Sequence, residues 1–177
     1  IDELLETEIF TENSNEKFNF CKLIAGSEGT LMFITEMKLH LNPLPPKFQG
    51  VVAVHCSTID DSLRANLIAL KYKPSAVELM DHYILECTKA NKEQMANRFF
   101  VDGDPGALLC VEISRDSLEE VQRLASEMET EMREAGYGYH FPVLFGDDIK
   151  KVWTLRKAGL GLLSNLPGDE KAVAVIE

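Results

Sequence analysis

Two long apolar runs, each followed by a helical pattern, constrain the fold of this chain most strongly. Residues 50–56 and 107–113 are rich in β-branched and other apolar side chains, as buried strands are. The helices predicted after them span residues 58–71 and 116–135. In each helix the apolar residues recur three and four positions apart, which places them on one face. These residues are Ile59, Leu63, Leu67 and Leu70 in the first helix, and Leu118, Val121, Ala125, Met128 and Met132 in the second.

The doubled strand-helix pattern predicts an α+β fold. Short strands are predicted at residues 76–80 and 137–145, so that each helix connects two strands. Two such units predict a ferredoxin-like antiparallel sheet with helices on one face. We predict further helices at residues 82–97 and 147–164, and a last strand that begins at Ala172.

A proline-rich segment predicts a domain boundary. Three prolines lie between Asn42 and Lys47, and each removes a backbone N–H group and restricts the residue before it. Before this segment, the alternating pattern of residues 30–42 predicts a separate strand. We therefore expect one domain to end within residues 1–46 and a second to span residues 47–177. The side chains predicted to face inward from the early strand are Met37, Leu39 and Leu41.

The composition argues against several classes of partner. Acidic residues outnumber basic ones, 29 to 18, and the formal net charge of -11 argues against nucleic-acid binding. No apolar run approaches the roughly 18 residues of a membrane span. The first residues lack the basic and apolar regions of a signal peptide. We therefore expect a cytoplasmic protein without a membrane span.

The cysteines and histidines form no metal-ligand pattern. The four cysteines lie far apart with no C-x-x-C pair, and no two of the four histidines have ligand spacing. We expect reduced, packed thiols and no metal site built from these residues. The residues are Cys21, Cys56, Cys87 and Cys110, and His40, His55, His82 and His140.

Two glycines flank a polar pair in the segment Gly26-Ser27-Glu28-Gly29-Thr30. Glycine lets backbone N–H groups approach a flat or anionic ligand, because no Cβ keeps the ligand away. An ordinary glycine turn before a strand explains the same residues. Both interpretations stay open on this segment alone, since short motifs match by chance.

A basic segment stands out in this acidic chain. Four basic residues and no acidic one lie between Ile149 and Gly168. Helical spacing places Arg156 beside Trp153 on an apolar face, where a charge needs a partner. A planar guanidinium there can hold a substrate carboxylate through two parallel hydrogen bonds. Arg156 can instead extend to solvent or pair with an internal carboxylate.

Four ordered segments resemble the FAD-linked oxidase family, flavoproteins of the vanillyl-alcohol-oxidase type. This group includes D-lactate, glycolate and D-2-hydroxyglutarate dehydrogenases. The resemblance implies an internal fragment of such a protein. Residues 1–46 would be the C-terminal end of the FAD-binding domain, including its last strand segment and the proline linker. Residues 47–177 would be a truncated substrate domain. The four segments are Leu23–Leu31, Lys73–Asp81, Val152–Ala158 and Lys171–Glu177.

The resemblance also implies a reaction and site residues. The parent protein would oxidise a small 2-hydroxy acid by hydride transfer to FAD. Arg156 and Lys171 would bind the substrate carboxylate, and no catalytic base is assigned within this chain. Any iron-sulfur cluster or divalent metal would lie outside it. The electron acceptor is not indicated, and a homo-oligomer is allowed. The residues implied to lie against the flavin are Gly26, Ser27, Glu28, Gly29 and Thr30.

A rival hypothesis comes from a different functional class. Ferredoxin-like folds host many unrelated functions, so the same elements also suit a non-catalytic regulatory or interaction module. The acidic helices and the lack of a complete catalytic set agree with that hypothesis. The flanking sequence distinguishes the two hypotheses: an upstream glycine-rich flavin-binding segment and a downstream strand that contains histidine would favour the enzyme, and their absence would favour the module.

Overall fold

The computed structural model describes residues 1–163, except for the side chain of Leu160. The chain divides into two compact units, Ile1–Pro43 and Leu44–Glu177. The first unit contains two short helices, α1 (Asp2–Leu5) and α2 (Cys21–Ala25).

The predicted strand at residues 30–42 is wrong, because no strand forms there. Met37, Leu39 and Leu41, which were predicted to face inward, are 58%, 71% and 83% exposed. A strand needs a neighbour for its backbone hydrogen bonds. Within the described residues no strand lies beside this segment to supply them, so an alternating pattern alone did not produce a ladder.

Among the described residues, the second unit is built on a four-stranded antiparallel sheet. No helix among the described residues is long and apolar enough to cross a membrane. The strands are β1 (Phe48–Cys56), β2 (Ala76–Asp81), β3 (Ala107–Arg115) and β4 (Val143–Phe145), and they lie in the order β2-β3-β1-β4 across the sheet. The strand predicted to begin at Ala172 lies outside the described residues. The helices are α3 (Ile59–Ala69), α4 (His82–Lys89), α5 (Lys92–Met95), α6 (Leu118–Glu134) and α7 (Asp147–Leu163), with short 3-10 turns at Leu70–Tyr72 and Ala96–Arg98.

Helices cover both faces of this sheet, so the prediction of helices on one face is wrong. On one face α3 and α6 pack against the sheet, and on the other α4 and α7 do. The reason lies in β1 and β3, whose apolar runs are continuous rather than alternating and are buried on both faces. The α+β class is confirmed and the ferredoxin-like assignment stays a prediction. In β1, Val52, Val54 and Cys56 face α3 and α6, whereas Val51 and Ala53 face α4 and α7.

Helix α3 packs through its small residues rather than through its leucines. Thr58 caps the helix by accepting a hydrogen bond from the Asp61 N–H at 3.1 Å. The buried side is formed by Ser62, Ala65, Ile68 and Ala69. Three of these four side chains are small, which permits close approach to the sheet. The apolar face predicted from sequence is instead exposed. Its residues Ile59, Leu63, Leu67 and Leu70 are 45%, 54%, 66% and 53% exposed.

The predicted strand at residues 137–145 forms only in part. Its ladder with β1 covers Val143–Phe145, and a single bridge joins His140 to His55. Pro142 lacks the N–H group that a continuous ladder requires, although its carbonyl accepts from the Ala53 N–H at 3.0 Å.

His55 is a fully buried histidine whose two ring nitrogens are both satisfied. Its Nε2 accepts a hydrogen bond from the Asp102 N–H at 3.1 Å, so the proton lies on Nδ1. Nδ1 donates to the Ala53 carbonyl at 2.9 Å. Burial lowers the pKa of His55 below its ordinary value of 6.5, mainly because a charged imidazole would lose its water. The folded protein therefore favours neutral His55.

Acid is expected to destabilise the protein through His55. The pKa of His55 is lower in the folded protein than in the unfolded chain, so its contribution to the free energy of unfolding is fully present above about pH 6.5. That contribution is lost as the pH falls from there towards the pKa of the folded state. The slope of the free energy of unfolding against pH should reach up to about 1.4 kcal/mol per pH unit. Urea unfolding between pH 8 and 5.5 measures it, with His55→Gln as the control that lacks the titrating ring. Equal slopes in both proteins would rule out this assignment.

Candidate functional site

Helix α7 holds Arg156 against the sheet. Val152 and Leu155 are fully buried in the core on that face, which fixes the rotation of the helix. Trp153 and Arg156 follow on the neighbouring side, three residues apart, and both are half-buried. The predicted placement of Arg156 beside Trp153 on this helix is therefore confirmed.

Two glutamates on the sheet lie opposite this part of α7. In β3 the row of side chains that faces α7 contains Leu108 and Cys110 and continues to Glu112, because alternate residues share a face. In β2 the corresponding row contains Met80 and Glu78. The register pairs Glu78 with Cys110, so the two carboxylates come from adjacent strands.

Each glutamate contacts one of the two α7 side chains. The Arg156 Nη2 and Nε atoms lie 2.9 and 3.1 Å from the same Glu78 oxygen, Oε2. The Trp153 Nε1–H donates to Glu112 Oε2 at 3.2 Å. The Ser75 hydroxyl donates to the other Glu112 oxygen at 2.8 Å. In the structure, Arg156 is thus paired with an internal carboxylate, one of the alternatives that the sequence left open.

A cleft of about 440 Å³ opens between these side chains. Lys157 lies at its border and makes no ion pair within the described part of the chain. The other two basic residues of α7 are partly neutralised, because Lys150 and Lys151 pair with acidic residues in the first turn of the helix. The cleft is lined by Ala76, Glu78, Glu112, Trp153, Arg156 and Lys157.

The wall beneath the cleft contains an unreactive thiol. Cys110 is fully buried, and burial raises its pKa to about 12, although the nearby Arg156 charge acts in the opposite direction. Cys56 on β1 is also buried, with its pKa raised to about 12 by the same cause. Both cysteines therefore stay protonated at neutral pH. The four cysteines are free thiols, as predicted, and Cys21 is exposed rather than packed.

The glycine segment forms a turn directly after α2, in the first unit. The Thr30 N–H and hydroxyl both bond to the Ser27 carbonyl, at 2.9 and 2.6 Å. Glu28 and Gly29 follow one another with φ values of 48° and 76°, in the left-handed region. Their two N–H groups make no hydrogen bond within residues 1–163.

These features fit a flavin contact. Among the described residues, no atom beyond the adjacent residues lies within 4 Å of the position that a Cβ would take at Gly26 or Gly29, so a ligand can approach the backbone closely. Successive unbonded N–H groups are donors suited to the polar edge or phosphates of a nucleotide cofactor. All five residues, Gly26 to Thr30, are at least partly exposed. The second predicted substrate residue, Lys171, lies outside the described residues.

A family model described as FAD linked oxidases, C-terminal domain, matches residues 45–177. The chain belongs to the FAD-linked oxidases. The family predicted from the four ordered sequence segments is therefore confirmed.

This FAD-linked oxidase chain is similar to D-2-hydroxyglutarate dehydrogenases from three bacteria. It is 27% identical to the Pantoea ananatis protein over 92% of the chain, 26% identical to the Haemophilus influenzae protein over 96%, and 25% identical to the Pseudomonas putida protein over 91%. In each case the chain spans about 17% of the length of the relative.

One further group of polar side chains in this FAD-linked oxidase chain comes together only in the fold. His82 and Glu86 lie on α4, and Asp104 reaches them from the loop before β3, with ligand atoms within 4.8 Å of one another. The Lys89 ammonium bonds to both carboxylates, at 2.8 Å in the case of Asp104. These two carboxylates therefore already have a cationic partner.

Sequence reasoning missed Glu78 and Glu112 as parts of the cleft. Both stand at positions where an alternate row of apolar strand residues is interrupted by a single carboxylate. That interruption is a readable signal, since a charge on a helix-covered face needs a partner.

Proposed function

We propose that the protein containing this chain oxidises a small 2-hydroxy acid with FAD as the electron acceptor, and that Arg156 binds the substrate carboxylate. The observation that supports this most directly is the cleft at Arg156, a half-buried guanidinium beside Trp153 in the C-terminal domain of an FAD-linked oxidase. Family membership favours this function over a non-catalytic regulatory module.

The reaction converts a 2-hydroxy acid into a 2-oxo acid. The substrate loses a hydride from C2 and a proton from its hydroxyl group, which together are two electrons and two protons. FAD, when bound, supplies the acceptor for the two electrons. No residue of the described chain is assigned as the base. The protein part of the chemistry carried by this chain is therefore binding and orientation.

The cleft residues suit that task. Arg156 offers a planar set of donors for a carboxylate, and its pair with Glu78 uses only the Nε and Nη2 side of the guanidinium. Trp153 contributes an apolar wall to the cleft. Lys157 adds a positive charge at the border, which attracts anionic substrates. Lys171 is proposed as a second contact to the carboxylate.

The turn from Gly26 to Thr30 is proposed to contact FAD through backbone donors. The N–H groups of Glu28 and Gly29 are the donors offered, and the open space at Gly26 and Gly29 permits the approach. A side chain at either glycine position would fill that space.

The full-length protein, purified with FAD, is expected to lose the visible absorbance of its flavin when a 2-hydroxy acid is added without oxygen. One 2-oxo acid should form for each flavin reduced. D-2-hydroxyglutarate is the first substrate to test, because the relatives bear that name, followed by D-lactate and glycolate. A protein that binds no flavin, or whose flavin stays oxidised with all three acids, would contradict the proposed function.

A further inference from the structure

We propose that Glu78 is a positioning residue that orients Arg156 for the substrate carboxylate. This inference rests on the proposed function of Arg156 and adds a second residue to the same site. Glu78 would not touch the substrate. It would act by fixing which edge of the guanidinium faces the cleft.

The contacts define that edge. A guanidinium offers two pairs of parallel donors, one on the Nε/Nη2 side and one at the Nη1/Nη2 end. Glu78 Oε2 lies 3.1 Å from Nε and 2.9 Å from Nη2, so it occupies the first pair. The Nη1/Nη2 end is not used by this ion pair. A substrate carboxylate can therefore bind at that end while Glu78 keeps its place.

Both partners are held by rigid elements. Glu78 lies in the middle of β2, where the ladder pairs it with Cys110 of β3. Arg156 follows Leu155, which is fully buried in the core between α7 and the sheet. The backbone of each residue is fixed, so the remaining freedom lies in the long arginine side chain. A carboxylate at one side of the guanidinium removes much of that freedom before substrate arrives.

The solvent exposure of the Arg156–Glu78 ion pair indicates how far loss of Glu78 would destabilise the fold. The Arg156 and Glu78 side chains are 37% and 43% exposed, and ion pairs with that much water contribute little to stability. A Glu78 variant should therefore fold. The direction of its effect on substrate binding then distinguishes two roles. Loss of a positioning residue weakens substrate binding, whereas loss of a carboxylate that merely competes with the substrate for Arg156 strengthens it.

The experiment is a double-mutant cycle on Glu78 and Arg156 in the full-length, FAD-loaded protein, assayed with D-2-hydroxyglutarate and an artificial dye as electron acceptor. Glu78→Ala is expected to raise KM about tenfold, because Arg156 loses its fixed orientation. Glu78→Gln, which keeps an acceptor oxygen, should raise KM less. In an Arg156→Met background, Glu78→Ala should have no further effect, since its target is gone.

Glu134→Gln is the matched control, because Glu134 is an exposed glutamate on α6, on the opposite face of the sheet, and its substitution changes net charge equally. It should leave KM and FAD content unchanged. A fall in KM in Glu78→Ala, or the same rise with and without Arg156, would overturn the positioning role. If Arg156→Met alone left both KM and kcat/KM unchanged, the proposed function of Arg156 would fail first, and the two failures are thus distinguishable.

Discussion

On the proposed function, Arg156→Met in the full-length protein is expected to lower kcat/KM for a 2-hydroxy acid at least about tenfold. Methionine keeps much of the length of the side chain but removes the charge and the parallel donors. Each charge-assisted hydrogen bond to the substrate carboxylate is worth roughly 1.5–3 kcal/mol, and about 1.4 kcal/mol of transition-state stabilisation corresponds to a factor of ten. Steady-state kinetics over a range of substrate concentrations measure the change.

Two further variants test the assignment of Arg156. Arg156→Lys should recover only part of the activity, because an ammonium keeps the charge and loses the planar geometry. Arg123→Met serves as the matched control, since Arg123 is an exposed arginine that pairs with Glu127 one turn away on α6. Arg123→Met should keep full activity. If Arg156→Met unfolded the protein while Arg156→Lys kept full turnover, Arg156 would be a structural ion-pair residue instead.

Gly106→Ala is expected to destabilise the second unit by at least about 2 kcal/mol. A Cβ at this position would lie 2.1 Å from the Ser57 carbonyl oxygen and 2.8 Å from its carbon. Both are backbone atoms and cannot rotate away as a side chain can. The Gly106 carbonyl also accepts from the His82 N–H at 3.1 Å, so a shift of this residue would disturb the start of α4 as well.

Urea unfolding at neutral pH measures the change. Gly161→Ala is the control, because among residues 1–163 no atom beyond the adjacent helix backbone lies within 4 Å of the Cβ that it adds. Gly161 is in α7, where alanine is favoured over glycine by up to about 1 kcal/mol, so this variant should be as stable as the wild type or more stable. Equal stability of Gly106→Ala and Gly161→Ala would show that the backbone near Ser57 relaxes at no cost.

The parts of the fold that depend on local periodicity were predictable. The spacing of five apolar residues predicted the buried side of α6, and four of them, Val121, Ala125, Met128 and Met132, are buried. The fifth, Leu118 at the start of the helix, is 37% exposed. The parts that depend on distant partners were not. The strand predicted at residues 30–42 lacked a ladder neighbour within the described residues. The leucines of α3 were correctly grouped on one face, but only the approach of the helix to the sheet decides which face is buried.

The candidate site shows the same division. The three-residue spacing of Trp153 and Arg156 on one helix could be read directly from the sequence. The partner of Arg156 could not, because Glu78 lies 78 residues away and meets it only through the sheet. The choice of Glu78 as the partner of Arg156 therefore required the fold.

The two buried thiols can report, through their reaction with a labelling reagent, when the helices on each face separate from the sheet. Cys56 faces α3 and α6, whereas Cys110 faces α7 across the same sheet. With pKa values of about 12, neither thiol offers a reagent the thiolate it needs until its face is exposed to water. Exposed Cys21 is labelled without any such separation and gives the reference rate. Site-resolved labelling can thus show whether the two helical layers detach together or one at a time, without introducing any probe.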